Sequence, residues 1–246
     1  DRGRTERLAA TADWRELVDR PDLDAVVVST PDHWHVLPSV AAVRAGKDVI
    51  CEKPLTRTIR EGRVLSDATR RYGTVFQTAS ENRSKGNFLR ATELVRNGFI
   101  GRLQRIIVDL PHGRSGNDPG RTFAPKPVPK HFDYDMWLGP APDAPYTPER
   151  CHYHFRWIRD YSGGYVTDWG AHLLDVAQWA NDTEHTGPVS VEGRGRFPAD
   201  GLYDTATEFH LTYEYANGVT LVCRSRSPAI RFEGTDGWVA VPTWGA

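Results

Sequence analysis

Two short apolar runs, each stopped by a proline, set the pattern of the first third of the chain. Residues 24–30 read Asp-Ala-Val-Val-Val-Ser-Thr and end at Pro31, and residues 48–51 read Asp-Val-Ile-Cys and pass through Glu52 and Lys53 to Pro54. Nearly continuous apolar runs of this length suit buried strands of a parallel sheet. Between and after them the period changes to that of amphipathic helices, predicted at 34–45 with Gly46 as the stop and at 60–72 with Gly73 as the stop. A third strand at 74–80 and a third helix at 87–97, closed by Gly98, continue the alternation. Parallel strands joined by helices of this length predict a doubly wound, Rossmann-like sheet. A short helix and turn from 14 to 24 leads into the first strand, and residues 4–10 read as part of an earlier helix.

Beyond Gly101 the pattern shifts. A strand is predicted at 102–110, and the Gly- and Pro-rich stretch 111–130 reads as a loop whose length suits an active-site or oligomer loop. Strand patterns follow at 189–197, 207–215 and 219–226, the last two joined through Asn217-Gly218, a hairpin signal, so a meander is expected. Phe209, Leu211, Tyr213, Leu221 and Cys223 alternate along the last two strands, which requires something to cover that face. Residues 239–246 trail off after a strand-like run.

Composition narrows the class. The chain has 246 residues, 39% of them hydrophobic, and a net charge of -1 without a block of one sign. That is enough material for one large or two small packed domains, and it argues against nucleic acid or an anionic membrane as partner. Cys51, Cys151 and Cys223 lie far apart with no Cys-x-x-Cys pair, which supports neither a disulfide framework nor a zinc ribbon and fits a reducing cytoplasm. No apolar run approaches the roughly 20 residues of a membrane span.

Candidate chemistry gathers where strands end. Glu52, Lys53 and Pro54 sit at the carboxyl edge of one predicted strand, and Thr30, Pro31, Asp32, His33, Trp34 and His35 at that of the other. Ligands of open α/β sheets bind at such edges, so these residues are expected to line a nucleotide site, with Trp34 as a flat apolar wall. His33 and His35 flank Trp34 without further ligands at metal spacing, so no metal is assigned. Farther on, helical spacing places Asp168, His172 and Asp175 on one face, preceded by Gly163-Gly164, which permits close backbone approach. Asn82 and Arg83, just past the third strand, are further candidates for substrate contact. Tyr153, Phe155 and Trp157 offer faces that suit sugar rings, although ordinary packing claims most such residues. A metal hydrolase built from His152, His154 and His172 is the least supported reading, since His-x-His pairs on an aromatic strand commonly hold no metal.

Thr-Pro-Asp-His-Trp-His at 30–35, Gly-Lys-Asp-Val-Ile-Cys-Glu-Lys-Pro-Leu-Thr at 46–56 and Thr-Asp-Trp-Gly-Ala-His-Leu-Leu-Asp at 167–175 together resemble the Gfo/Idh/MocA oxidoreductases. These are relatives of glucose-fructose oxidoreductase and inositol dehydrogenase. The resemblance implies a partial Rossmann domain at 1–98, and at 99–246 a substrate and oligomerisation domain with a large, open, mostly antiparallel sheet. It implies NAD or NADP as cofactor and a sugar, polyol or glycoside as substrate. His172 then matches the catalytic base, Asp168 a substrate-binding acid, and Lys53 completes the catalytic set. It also implies a homo-oligomer formed through the open sheet face. No Gly-x-Gly-x-x-Gly turn for the cofactor pyrophosphate occurs in the sequence, so a fragment cut at both ends is expected. Two alternatives accompany the dehydrogenase reading: glycoside cleavage or epimerisation through transient ring oxidation, and a non-catalytic sugar-binding pseudo-enzyme.

Overall fold

The computed structural model describes residues 10–114 and 123–242. The helix expected at 4–10 falls, apart from Ala10, outside the described residues, as do the middle of the 111–130 loop and residues 243–246. The chain divides into two units, Asp1–Ala79 and Ser80–Ala246.

In the first unit, β1 (Ala25–Val28), β2 (Asp48–Cys51) and β3 (Phe76–Thr78) form a parallel sheet in that order, with Val28 opposite Cys51 and Cys51 opposite Thr78. Three helices accompany it: α1 (Trp14–Val18), α2 (Val36–Arg44) and α3 (Ile59–Tyr72). The bounds of α3 are written in its caps. Thr58 and Glu61 exchange side-chain to backbone hydrogen bonds of 3.2 and 2.8 Å, and Gly73 takes a left-handed φ of 68° that ends the helix. Val28, Val49 and Cys51 pack with Val18, Ala42 and Val43. The other sheet face is open among the described residues, with Val27 67% and Ile50 43% exposed. Burial of these strands is therefore one-sided here, unlike the full burial their sequence suggests. Lys47, which carries no sequence signal, is buried because its ammonium donates to the Arg20 and Leu23 carbonyls at 2.6 and 2.8 Å.

The second unit contains β4 (Leu103–Leu110), β5 (Ser190–Arg196), β6 (Glu208–Glu214), β7 (Thr220–Ser225), β8 (Ala229–Gly234) and β9 (Trp238–Val241). Their sheet order is β5-β6-β7-β4-β8-β9, and of these pairings only β4 with β7 is parallel. The expected meander is present as β5, β6 and β7, with Gly218 at φ 83° in the turn. Helix α4 (Gly86–Arg96), assigned to the first domain by the 1–98 boundary, packs instead in the second core, because Phe88, Ala91 and Val95 meet the sheet beside Leu173, Val176 and Ala177. The last three belong to α7 (Gly170–Ala180).

The same core settles what covers the alternating set on β6 and β7. Phe209, Leu221 and Cys223 are buried in it, and Leu211 and Tyr213 pack against it. Helices of this chain cover that face, so it is not the surface left for a second subunit. The opposite face is polar, with Arg194, His210, Arg224 and Asp109 in one cross-strand row and Arg224 Nε donating to Asp109 Oδ1 at 2.7 Å.

A second cluster of the same unit joins α5 (Tyr134–Leu138) to the 3-10 helix His152–Trp157. Phe155 and Trp157 are buried in it, so packing claims them, while Tyr153 stays exposed. His152 and His154 lie on this 3-10 helix, not on a strand. No helix among the described residues is long and apolar enough to cross a membrane.

Candidate active site

The carboxyl edge of β1 and β2 is built by two prolines and one histidine. Pro31 opens a 3-10 turn at Asp32–Trp34, where Trp34 N–H donates to the Pro31 carbonyl at 2.8 Å. His35 follows and is buried, with Nδ1 2.8 Å from the Pro54 carbonyl oxygen and Nε2 2.9 Å from that of Thr30. The ring thus ties the two strand ends together. Each ring nitrogen faces a backbone carbonyl oxygen, to one of which the neutral ring donates, so the side chain helps to frame the edge. Trp34 is also largely taken up by packing, edge-on to Trp14 at 6.2 Å between centroids. Asp32 and His33 are buried as well.

Glu52 extends β2 by one hydrogen bond, its N–H donating to the Val28 carbonyl at 2.9 Å. Its carboxylate accepts from the Lys53 N–H at 3.2 Å, and both side chains remain half-buried. The Thr30 hydroxyl is buried with no hydrogen-bond partner among the described residues. Of the eight residues expected to bind cofactor, the structure leaves Thr30, Glu52 and Lys53 with reactive groups at the edge, and turns Pro31, Pro54 and His35 into its frame.

In the second unit the chain turns sharply at Gly163-Gly164. Gly164 has φ 64° and ψ -155°, and a Cβ there would lie 2.7 Å from Thr205 Oγ1. Only glycine fits. The turn launches α6 (Tyr165–Asp168), whose last residue joins α7 through Trp169. Asp168 and His172 are both buried, the first at the end of α6 and the second in the first turn of α7.

Asp168 has a companion that the sequence did not reveal. Arg156 Nε lies 3.5 Å from Asp168 Oδ1, and its guanidinium stands 4.8 and 4.7 Å from the ring centroids of Tyr153 and Phe155. Gly164 N–H donates to the Arg156 carbonyl at 3.0 Å, so one turn fixes both members of the pair. The third acid, Asp175, is claimed by Arg83, which donates from Nε and Nη2 to its two oxygens at 2.7 and 2.8 Å. The expected trio of titrating groups thus resolves into two acids with their own arginines and one imidazole. Arg83 is correspondingly committed to an ion pair instead of being open to substrate. Asn82 is buried, and its side-chain amide has no hydrogen-bond partner among the described residues.

Other chemistry is sparse. Among the described residues no group of three or more His, Cys, Asp or Glu could hold a metal ion, so His152, His154 and His172 do not converge. Burial pushes the Cys51 and Cys151 thiols up to about 11 and that of Cys223 up to about 12.

Comparison with known proteins agrees with both units. Residues 3–80 match the model of an oxidoreductase family's NAD-binding Rossmann fold, and residues 93–239 match the C-terminal alpha/beta domain of the same family. A levoglucosan dehydrogenase of Pseudarthrobacter phenanthrenivorans is 38% identical over 94 residues, covering 38% of this chain and 24% of that protein. The oxidoreductase YrbE of Bacillus subtilis is 32% identical over 224 residues, covering 89% of this chain and 53% of that protein. Among solved structures, a levoglucosan dehydrogenase in complex with NADH and levoglucosan superposes with a TM-score of 0.71 at 22% identity, covering 94% of this chain and 57% of that one. That likeness speaks for the fold. The chain spans about half the length, or less, of these curated relatives.

Proposed function

Because the chain belongs to the Gfo/Idh/MocA oxidoreductase family, we propose that the whole protein transfers a hydride between NAD or NADP and an alcohol carbon of a sugar, polyol or glycoside. The observation that carries the reading is that a buried acid, Asp168, and a buried imidazole, His172, stand four residues apart across the α6–α7 junction, behind a turn that only glycine can make. An imidazole titrates near neutral pH, which suits proton transfer.

The first unit fits a dinucleotide. The unpartnered Thr30 hydroxyl and the half-buried Glu52 and Lys53 offer hydrogen-bonding groups at the edge where open α/β sheets take their ligands. Thr30, Glu52, Lys53 and the backbone around Pro31 and Pro54 would hold the cofactor. The pyrophosphate would need a glycine-rich turn, which the 246 residues do not include. When bound, the nicotinamide supplies the hydride acceptor.

This chain's residues handle the proton. His172, neutral, takes the substrate hydroxyl proton as alkoxide character develops, and the family resemblance supports Lys53 as the cation of the reaction. Asp168 orients substrate or imidazole, with Arg156 holding its carboxylate in place. Asn82, through its buried amide, is a further candidate for a substrate hydroxyl.

The test is reduction of NAD and NADP by the full-length protein with levoglucosan, myo-inositol and a panel of free sugars and glycosides. Reduction with at least one member supports the reading, and binding without reduction across the panel would favour a sugar-binding pseudo-enzyme. The family resemblance also supports a homo-oligomer through the polar sheet face. Sedimentation of the full-length protein at micromolar concentration checks this, with a monomer as the contrary result.

A further inference from the structure

One guanidinium holds the helix that carries His172 at two points and the segment after it at a third. Arg83, on the 3-10 turn Glu81–Ser84, holds both oxygens of Asp175, three residues beyond His172 on α7. Its remaining nitrogen, Nη1, donates to Glu184 Oε1 at 2.5 Å, just past the end of the helix. Its plane lies 5.4 Å from the ring centroid of Trp179, one turn after Asp175. Arg96 extends the network to Glu184 at 3.3 Å and to Asp182.

We propose that Arg83 is the positioning residue for His172: it fixes the rotation of α7 and cancels the charge of Asp175 beside the imidazole. The inference rests on His172 being the base. A bidentate fork to a carboxylate constrains both distance and plane, which a lysine or a single hydrogen bond cannot do. Side chains three apart on a helix are neighbours, so an uncompensated Asp175 would favour the charged form of His172, which cannot accept a proton. The Glu184 carboxyl, held below the usual range by its hydrogen bond from Arg83, completes the anchor.

Apart from Arg105, an exposed residue of β4, the charged groups on the elements packed around α7 come in opposed sets. They are Asp168 with Arg156, Glu81 with Lys85, Arg90 with Glu93, Arg96 with Glu184 and Asp182, and Asp109 with Arg224. Within this balance, a change at Arg83 or Asp175 uncovers one charge next to His172, and the sign depends on which partner is removed.

The experiment is an NMR titration of the full-length protein with labelled histidine, the His172 signal being identified by its loss in His172→Gln. Arg83→Gln should raise the His172 midpoint by about one unit, and Asp175→Asn, which leaves the arginine, should lower it. The double substitution should return it near the wild-type value. Arg83→Lys should keep the midpoint but reduce kcat with little change in KM, because charge is retained and the fork is lost. Arg83→Gln and Asp175→Asn shifting the midpoint in the same direction, or folded Arg83→Gln or Asp175→Asn protein leaving it unmoved, would overturn the proposal. Should Arg83→Gln fail to fold, the downward shift in Asp175→Asn and the constant midpoint in Arg83→Lys still decide it. No substrate enters the titration, so its outcome stands apart from that of the base assignment, which fails if His172→Gln retains turnover.

Discussion

Arg156 Nε and Asp168 Oδ1 stand 3.5 Å apart, so the acid that precedes the candidate base is buried beside a half-buried cation. Removing one partner of such a pair leaves the other charge buried and unbalanced, which is more harmful than removing both. Arg156→Gln and Asp168→Asn should each reduce kcat/KM of the full-length enzyme by roughly tenfold or more, and the double variant should lose less than the sum of the two. A double-mutant cycle measures this, and strict additivity would remove Arg156 from the site.

Lys53 is the second point of attack. It follows Glu52 at the end of β2 and precedes the Pro54 turn that His35 anchors, so its backbone is fixed whatever its side chain. Lys53→Ala should leave the circular dichroism spectrum intact and reduce turnover by roughly two or more orders of magnitude. Unchanged turnover would reject its role in the reaction.

Gly164 couples stability to geometry. Its φ of 64° and the 2.7 Å approach a Cβ would make to Thr205 combine backbone strain with a clash. Gly164→Ala should destabilise the second unit by at least about 2 kcal/mol in denaturant unfolding and displace Asp168 and Arg156 together. A loss below about 0.5 kcal/mol would mean the turn is not held as described.

What the sequence discloses depends on whether its signal is local. The α3 caps, the glycine stops at 46, 73 and 98, and the proline ends of the first two strands all lie within a few residues of what they determine, and all appear in the structure. The helical segments that carry Asp168 and His172 follow Gly163-Gly164 as expected, although the single helix expected from their spacing breaks at Trp169. Strand β8 was missed although Ile230 and Phe232 alternate with polar neighbours, since Arg231 and Glu233 lower its apolar content. The placement of α4 could not be read at all: Phe88, Ala91 and Val95 define an apolar face but not which sheet receives it. Nor could the partners of the acids, for Arg156 reaches Asp168 across 12 positions and Arg83 reaches Asp175 across 92. His35 reads as a residue lining the nucleotide site because a strand-end histidine gives no sign that backbone carbonyls face both its nitrogens.

The most direct test of the account is the pH dependence of substrate oxidation by the full-length enzyme, wild type against His172→Gln. The base must be neutral to accept a proton, so the wild-type kcat/KM should rise with pH through one ionisation in the ordinary imidazole range, about 6 to 8. His172→Gln keeps size and hydrogen bonding without a titrating nitrogen, and should lose that acidic limb together with most of the rate. A glutamine variant with near-normal turnover and the same limb would contradict the account and move the base to another residue.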